Sequence, residues 1–325
     1  MTPLGRALRD RIQAEGPITV EAYMEACNAY YYATRDPFGA KGDFTTAPEI
    51  SQMFGEMVGA ALADCWKRVG APENAIYAEL GPGRGTLASD ALRVLHSAGF
   101  SGDVHFVETS PILREAQDSA VPGAHWHETI DELPSEPLLL VANEFLDALP
   151  IRQHVEGVER KIMAAAGGLA FDRDGEIVED SPVRDEIVSE IAQRLVADGG
   201  VALLVDYGHA KGAPGDTLQA VRRHRFAAVL DSPGEQDLTS QVDFEAVTRA
   251  GRETGAAVTR LISQGEWLKR LGIEARAEAL MGANPDHSDD VRSALERLIA
   301  PDQMGDLFKV IAIHASDWPV PAGSS

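Results

Sequence analysis

From Ala71 onward the chain alternates short apolar runs with helical stretches, and no other feature constrains its fold as tightly. The apolar runs suit strands at Ala75–Leu80, Val104–Val107, Ala124–His127, Leu138–Ala142 and Val201–Val205. Between them, Thr86–Ser97, Pro111–Ser119 and Val183–Ala197 carry helical patterning. Strands linked through helices run parallel, and such crossovers are right-handed. The expected fold is therefore α/β, a doubly wound sheet. A last strand is expected in "LFKVIAIHA", Leu307–Ala315.

Ahead of this pattern two helices are expected, Leu4–Ala14 and Val20–Ala29, with Thr19 capping the second. An aromatic loop rich in Gly and Pro follows from Tyr30 to Glu49, then a long helix from Pro48 to about Val69. Loops of that length in a compact protein are commonly functional. Residues 151–174 read as an antiparallel ribbon with Gly and Asp-Gly turns. Four regions are expected. Residues 1–70 hold N-terminal helices and a covering loop, and 71–207 the α/β core with the ribbon inserted. Residues 208–300 form a lid lobe, loop-rich and then mainly helical, and 301–325 the last strand and a tail.

With 44% hydrophobic and 25% charged residues the proportions are globular. A formal net charge of −22 leaves no basic face to displace counterions from phosphates, so nucleic acid is not an expected ligand. No apolar run approaches the ~20 residues of a membrane span, and membrane insertion is not expected. The first residues mix charge with apolar side chains and lack the apolar centre of a secretory leader. Cys27 and Cys65 make no metal pattern and read as buried thiols in a reducing compartment. A cytoplasmic protein is the expectation.

The strand ending at Leu80 runs into "ELGPGRGTL", Glu79–Leu87, with glycines at Gly81, Gly83 and Gly85. Missing Cβ atoms let backbone pass close to a ligand. A dinucleotide fingerprint needs its third glycine where this chain has Thr86, which disfavours a nicotinamide-dependent oxidoreductase. The Gly-Lys-Ser/Thr of a phosphate-binding loop is absent too. Glu79, just before the turn, suits a cationic amine better than a pyrophosphate. S-adenosyl-L-methionine carries such an amine and a sulfonium. Glu108 closes the next strand in "VHFVETSP", where a carboxylate can take both ribose hydroxyls.

Several longer blocks carry a resemblance to a known family. They are "RDPFGAKGDFTTAPEISQMFGE" (Arg35–Glu56), "ELGPGRGTL", "VETSPILREAQ" (Val107–Gln117) and "ANEFLDALPI" (Ala142–Ile151). "VDYGHAKGAPGDTLQA" (Val205–Ala220), "DLTSQVDF" (Asp237–Phe244) and "MGDLFKV" (Met304–Val310) extend the match over nearly the whole chain. The chain resembles the MidA-like S-adenosyl-L-methionine-dependent methyltransferases, which include the mitochondrial complex I assembly methyltransferase that modifies an arginine. The first block and "ANEFLDALP" are the most specific. The family pattern has a second aromatic where this chain has Leu146.

The resemblance implies a class I methyltransferase sheet, Rossmann-like and seven-stranded, with an N-terminal helical extension and an inserted helical and loop lobe. It implies S-adenosyl-L-methionine as cofactor and a protein substrate, with arginine the characterised target and a NADH dehydrogenase subunit the implied partner. The alternatives are a non-catalytic assembly chaperone that retains a cofactor pocket, and a small-molecule methyltransferase. The oligomeric state stays open.

Methyl transfer from a sulfonium needs in-line approach by a nucleophile, so positioning dominates. An arginine nucleophile stays protonated and needs carboxylates to hold and aim it. Acids in the matching blocks are therefore the catalytic candidates: Glu144, just after the fourth strand, Asp43 in the covering loop, and Asp206 with His209 in "DYGH" at the end of the fifth. Asn143 is a candidate to orient the cofactor beside Glu79, Gly81, Gly83, Gly85 and Glu108. "HWHE", His125–Glu128, puts two histidines on one strand face with no further ligand suggested, and no metal is expected. "RRHR", Arg222–Arg225, reads as a solvated charged turn.

Overall fold

The computed structural model describes residues 1–35 and 45–324. Its main sheet contains β1 (Ile76–Leu80), β2 (Val104–Val107), β3 (His125–His127), β4 (Leu138–Asn143), β5 (Gly200–His209), β6 (Ala257–Val258) and β7 (Phe308–His314). They are hydrogen-bonded in the order β6-β7-β5-β4-β1-β2-β3. The strands from β5 to β3 along this order run parallel, whereas β7 is antiparallel to both β5 and β6. The order reverses between β1 and β4, paired with Leu80 opposite Ala142. Open α/β sheets take ligands in the crevice beyond the carboxyl ends of the strands at such a reversal.

Both faces of the sheet are covered, so its central strands β4 and β5 carry near-continuous apolar runs, Leu138–Ala142 and Val201–Val205, rather than alternating. Tyr77, Leu139, Val141, Leu203 and Val205 share one core with the helices Gln52–Arg68 and Thr86–Ser97. The intervening residues Ile76, Ala78, Leu140, Ala142 and Leu204 share another with the helices Pro182–Asp198 and Phe244–Glu253.

The doubly wound α/β reading holds, with local departures. The expected helix from Pro48 breaks at Ser51, which is extended (φ −164, ψ 140) and whose hydroxyl accepts from the Met53 amide. A single turn, Ala47–Ile50, is thereby separated from Gln52–Arg68. The second N-terminal helix runs on from Val20 to Thr34, so Tyr30–Thr34 is helical rather than loop. Antiparallel strands occupy the expected ribbon, and one of them, Lys161–Ala165, also pairs with Ile18–Thr19. Beyond Gly208 the loop-rich expectation missed a small sheet. Gln219–Arg222 and Arg225–Ala227 form a hairpin, and Asp237–Thr239 pairs with its first strand. The turn residues Arg223 and His224 both have positive φ, the geometry of a tight two-residue hairpin turn. No helix among the described residues is long and apolar enough to cross a membrane.

Candidate active site

Beyond β1 the chain turns through Gly81, Gly83 and Gly85 at φ 60, 55 and 80, a region that side chains disfavour. A Cβ on Gly81 would stand 3.0 Å from the Phe145 ring, and one on Gly85 3.2 Å from Ala120. The Gly81 amide donates to Val107 O (3.0 Å), and Gln117 Nε2 donates to Gly83 O (2.8 Å). Gln117 is fully buried and also donates to Glu108 Oε2 (3.1 Å), while its Oε1 accepts from Trp126 Nε1 (2.8 Å). One amide thus ties the glycine turn to the acid that ends β2. Glu108 Oε1 accepts from the Ser110 amide (2.7 Å), and burial pushes its carboxyl up against these hydrogen bonds.

Glu79 is 3% exposed and accepts from the Tyr77 hydroxyl at 2.7 Å. Burial outweighs that hydrogen bond and pushes its carboxyl up to about 7. A small cavity between the ends of β1 and β4 is lined by Glu79, Gly81, Gly83, Thr86, Asn143 and Glu144. Asn143 Nδ2 donates to Glu144 Oε1 (3.3 Å), but its own Oδ1 is buried without a hydrogen-bond partner. Acceptors therefore converge on this cavity, and the cation that also lines it, Arg84, stands 3.9 Å from Glu49 Oε2.

Two larger cavities adjoin it. One, of about 570 Å³, is lined by Gly81, Gly83, Glu108, Ser110 and Leu113 among others. The other, of about 290 Å³, lies against Tyr32, Asp147, Tyr207, Gln219 and Asp237. Glu144 lines all three. It follows β4 directly at φ 51, an uncommon conformation for a non-glycine residue and one that concentrates at functional sites. Its amide donates to Val205 O (2.9 Å), and its Oε1 accepts from the Ala47 amide (3.1 Å). Burial pushes its carboxyl up to about 8; the Ala47 amide opposes this and the charge of Asp147 adds to it. A further surface groove of about 590 Å³, beside Glu266, Arg270 and Asp306, contains none of these residues.

Two of the sequence candidates stand apart. Asp206 is 1% exposed and turns into the protein rather than toward a cavity. Its Oδ2 accepts from the amides of Leu146 (2.9 Å) and Asp147 (3.2 Å), and its Oδ1 from that of Tyr207 (2.9 Å). It anchors the loop that carries Glu144, which corrects its reading as a group facing the target. Arg184 braces the same loop through Leu146 O (2.9 Å), Ser240 Oγ (3.1 Å) and Gln241 O (3.2 Å). His209 is partly exposed, with Nδ1 3.4 Å from Gln241 Oε1, and lines none of the three cavities. Asp43 lies outside the described residues.

Gln117, Tyr32, Asp147 and Asp237 went unrecognised in the sequence. Three of them fall inside the quoted blocks, where searching every buried-looking polar residue would have found them; Tyr32 lies in the aromatic Tyr30–Glu49 stretch, whose composition marked the segment but not the residue. His105 joins the histidines of "HWHE", with Nδ1 2.9 Å from His127 Nε2. Among the described residues no group of His, Cys, Asp or Glu is arranged to hold a metal ion.

The sequence matches the model of a family of S-adenosyl-L-methionine-dependent methyltransferases over residues 57–167 and 158–262. It is 36% identical to the mitochondrial protein arginine methyltransferase NDUFAF7 homolog of Drosophila melanogaster, over 98% of this chain and 87% of the fly protein. Human protein arginine methyltransferase NDUFAF7, also mitochondrial, is 31% identical over 96% of this chain and 83% of its own length. A crystal structure from Burkholderia thailandensis with S-adenosyl-homocysteine bound superposes with a TM-score of 0.84 at 26% identity, covering 99% of this chain and 94% of that one. The mitochondrial relatives overturn the expectation of a cytoplasmic protein. Two free thiols and the character of the first residues do not tell one reducing compartment from another.

Proposed function

This chain belongs to the family of S-adenosyl-L-methionine-dependent methyltransferases, and from that premise we propose that it methylates an arginine nitrogen of a protein substrate. The observation that carries the reading is Glu144, held where the three cavities meet.

The residues present fit the cofactor. Asn143 Oδ1, buried and without a donor, joins Glu79 as an acceptor pair for an ammonium group. The bare glycine turn lets backbone pass against the ligand, and the Glu108 oxygens retain lone pairs for ribose hydroxyls in the larger cavity. Bound there, the cofactor supplies an electrophilic methyl group on a positively charged sulfur. Glu144 as carboxylate holds two guanidinium N–H groups in parallel, which fixes direction as well as distance. Its carboxyl, at about 8 in the free protein, is matched to accepting near neutral pH the proton that the methylated nitrogen gives up. The product stays a guanidinium cation, because one proton leaves as one methyl arrives.

The two relatives named above are protein arginine methyltransferases, which supports arginine as target. A respiratory NADH dehydrogenase subunit as the substrate rests on the resemblance of the sequence blocks. The test supplies the protein and labelled cofactor to an extract of cells that lack it, then locates the label by mass spectrometry. Label on arginine is expected. Label on lysine or a small metabolite refutes the proposal, and no label despite bound cofactor favours a scaffold that retains the pocket.

A further inference from the structure

We propose that the cavity of about 290 Å³ is a guanidinium-selective pocket in which Asp147 and Asp237, beside Glu144, choose arginine over lysine. The proposal rests on the methyltransferase reading and assigns the residues that set its substrate class.

Asp147 is 5% exposed and lines this cavity; its Oδ1 is buried without a hydrogen-bond partner, while the Tyr207 hydroxyl and the Ala148 amide act on the carboxyl as a whole. A carboxylate oxygen kept from water with no donor is costly, and native proteins rarely leave one so unless a ligand brings the donor. Arg184 contributes charge toward it, and three of its five N–H groups go to Leu146 O, Ser240 Oγ and Gln241 O. Asp237, 4% exposed, lines the same cavity and accepts from the Tyr32 hydroxyl at 2.8 Å. Of the other polar side chains here, Gln219 Nε2 donates to the Tyr207 hydroxyl (2.7 Å), which donates to Thr239 Oγ1, and Gln241 Oε1 lies 3.4 Å from His209 Nδ1. No Lys or Arg lines the cavity among the described residues.

What enters must therefore bring positive charge and several N–H donors. A guanidinium offers five in a planar fork, whereas an ammonium offers three on a compact, strongly hydrated centre. The rings of Tyr32, Tyr207 and Phe308 supply flat faces for a planar cation. Tyr32 also lines the cavity of about 570 Å³, so a side chain held here abuts the proposed cofactor site. At the rim, Phe226 is 79% and Leu307 51% exposed, an apolar edge for the chain that presents the arginine.

The test uses the full chain saturated with S-adenosyl-homocysteine, and methylguanidine and methylammonium as probes in calorimetry. Methylguanidine is expected to bind at least about tenfold more tightly than methylammonium. Asp147→Asn and Asp237→Asn, made separately, should each weaken methylguanidine by about tenfold or more with S-adenosyl-homocysteine affinity unchanged. In the labelling assay Asp147→Asn should raise KM for the labelled protein far more than it lowers kcat. Equal binding of the two probes to the unaltered protein, or wild-type methylguanidine affinity in both variants, overturns the pocket. Arginine labelling with wild-type KM in both variants also overturns it and leaves the arginine reading intact. Label on lysine from the unaltered protein would instead sink that reading.

Discussion

Replacing Glu79 by Gln tests how the cofactor is held. Its carboxyl, 3% exposed, sits at about 7 because burial outweighs the hydrogen bond from Tyr77. A carboxylate is what an ammonium group requires, so binding must expel the proton from whatever fraction of Glu79 carries it. Well above pH 7 affinity is at its plateau. Near pH 7 half the sites are protonated, and one unit lower the affinity is down about tenfold, or 1.4 kcal/mol. Glu144, at about 8, lines the same cavity, with Glu49, Arg84 and Asn143, and would add its own slope. The comparison is therefore made in a Glu144→Gln background. Calorimetry with S-adenosyl-homocysteine, whose amine stays charged throughout, should show affinity falling on acidification. Glu79→Gln in that background should be weaker and flat with pH. A flat profile with Glu79 intact, or the same slope after its replacement, refutes the reasoning.

Glu108→Ala should weaken S-adenosyl-homocysteine by about 1.5–3 kcal/mol, the scale of hydrogen bonds to a charged group; unchanged affinity would remove it from the site. Gly81→Ala forces a Cβ at φ 60 to within 3.0 Å of Phe145, and chemical denaturation should show a loss of about 1–2 kcal/mol. An unshifted midpoint would contradict that. Without ligand, thermal stability should fall as pH rises through the window from about 6 to about 8. Asp147, Glu79 and Glu144 sit at about 6, 7 and 8, above their unfolded values. Their contribution is full below the unfolded values and lost as the folded ones are passed. A melting temperature that climbs over that window would count against the buried acids.

The strands that frame the site were legible because both faces of the sheet are covered, leaving uninterrupted apolar runs such as Leu138–Ala142. Glu144 was legible for the same reason, as the first charge after such a run. The 290 Å³ cavity was not. Tyr32, Asp147 and Asp237 meet through an N-terminal helix, a strand-end loop and a small antiparallel sheet, and no local periodicity records that meeting. Asp206 shows the opposite failure. Its place at a strand end pointed toward a substrate, but the nearest donors are backbone amides of the neighbouring loop, and sequence does not disclose which way a strand-end carboxylate turns.

β7 has a consequence for how the molecule is made. It lies between β5 and β6 although both precede it in the chain, pairing with Val201–His314 register on one side and with Ala257–Val258 on the other. Until residue 314 has been synthesised, β6 has no partner and β5 presents an unpaired edge. That edge belongs to the strand whose Asp206 anchors the Glu144 loop. A nascent chain thus carries the glycine turn and every proposed cofactor contact through the whole second half of synthesis without a closed sheet behind them. Exposed edges of this kind invite mispairing. Activity should therefore arrive in a single late step on the ribosome's timetable, and a chain stopped before β7 should be insoluble rather than partly active.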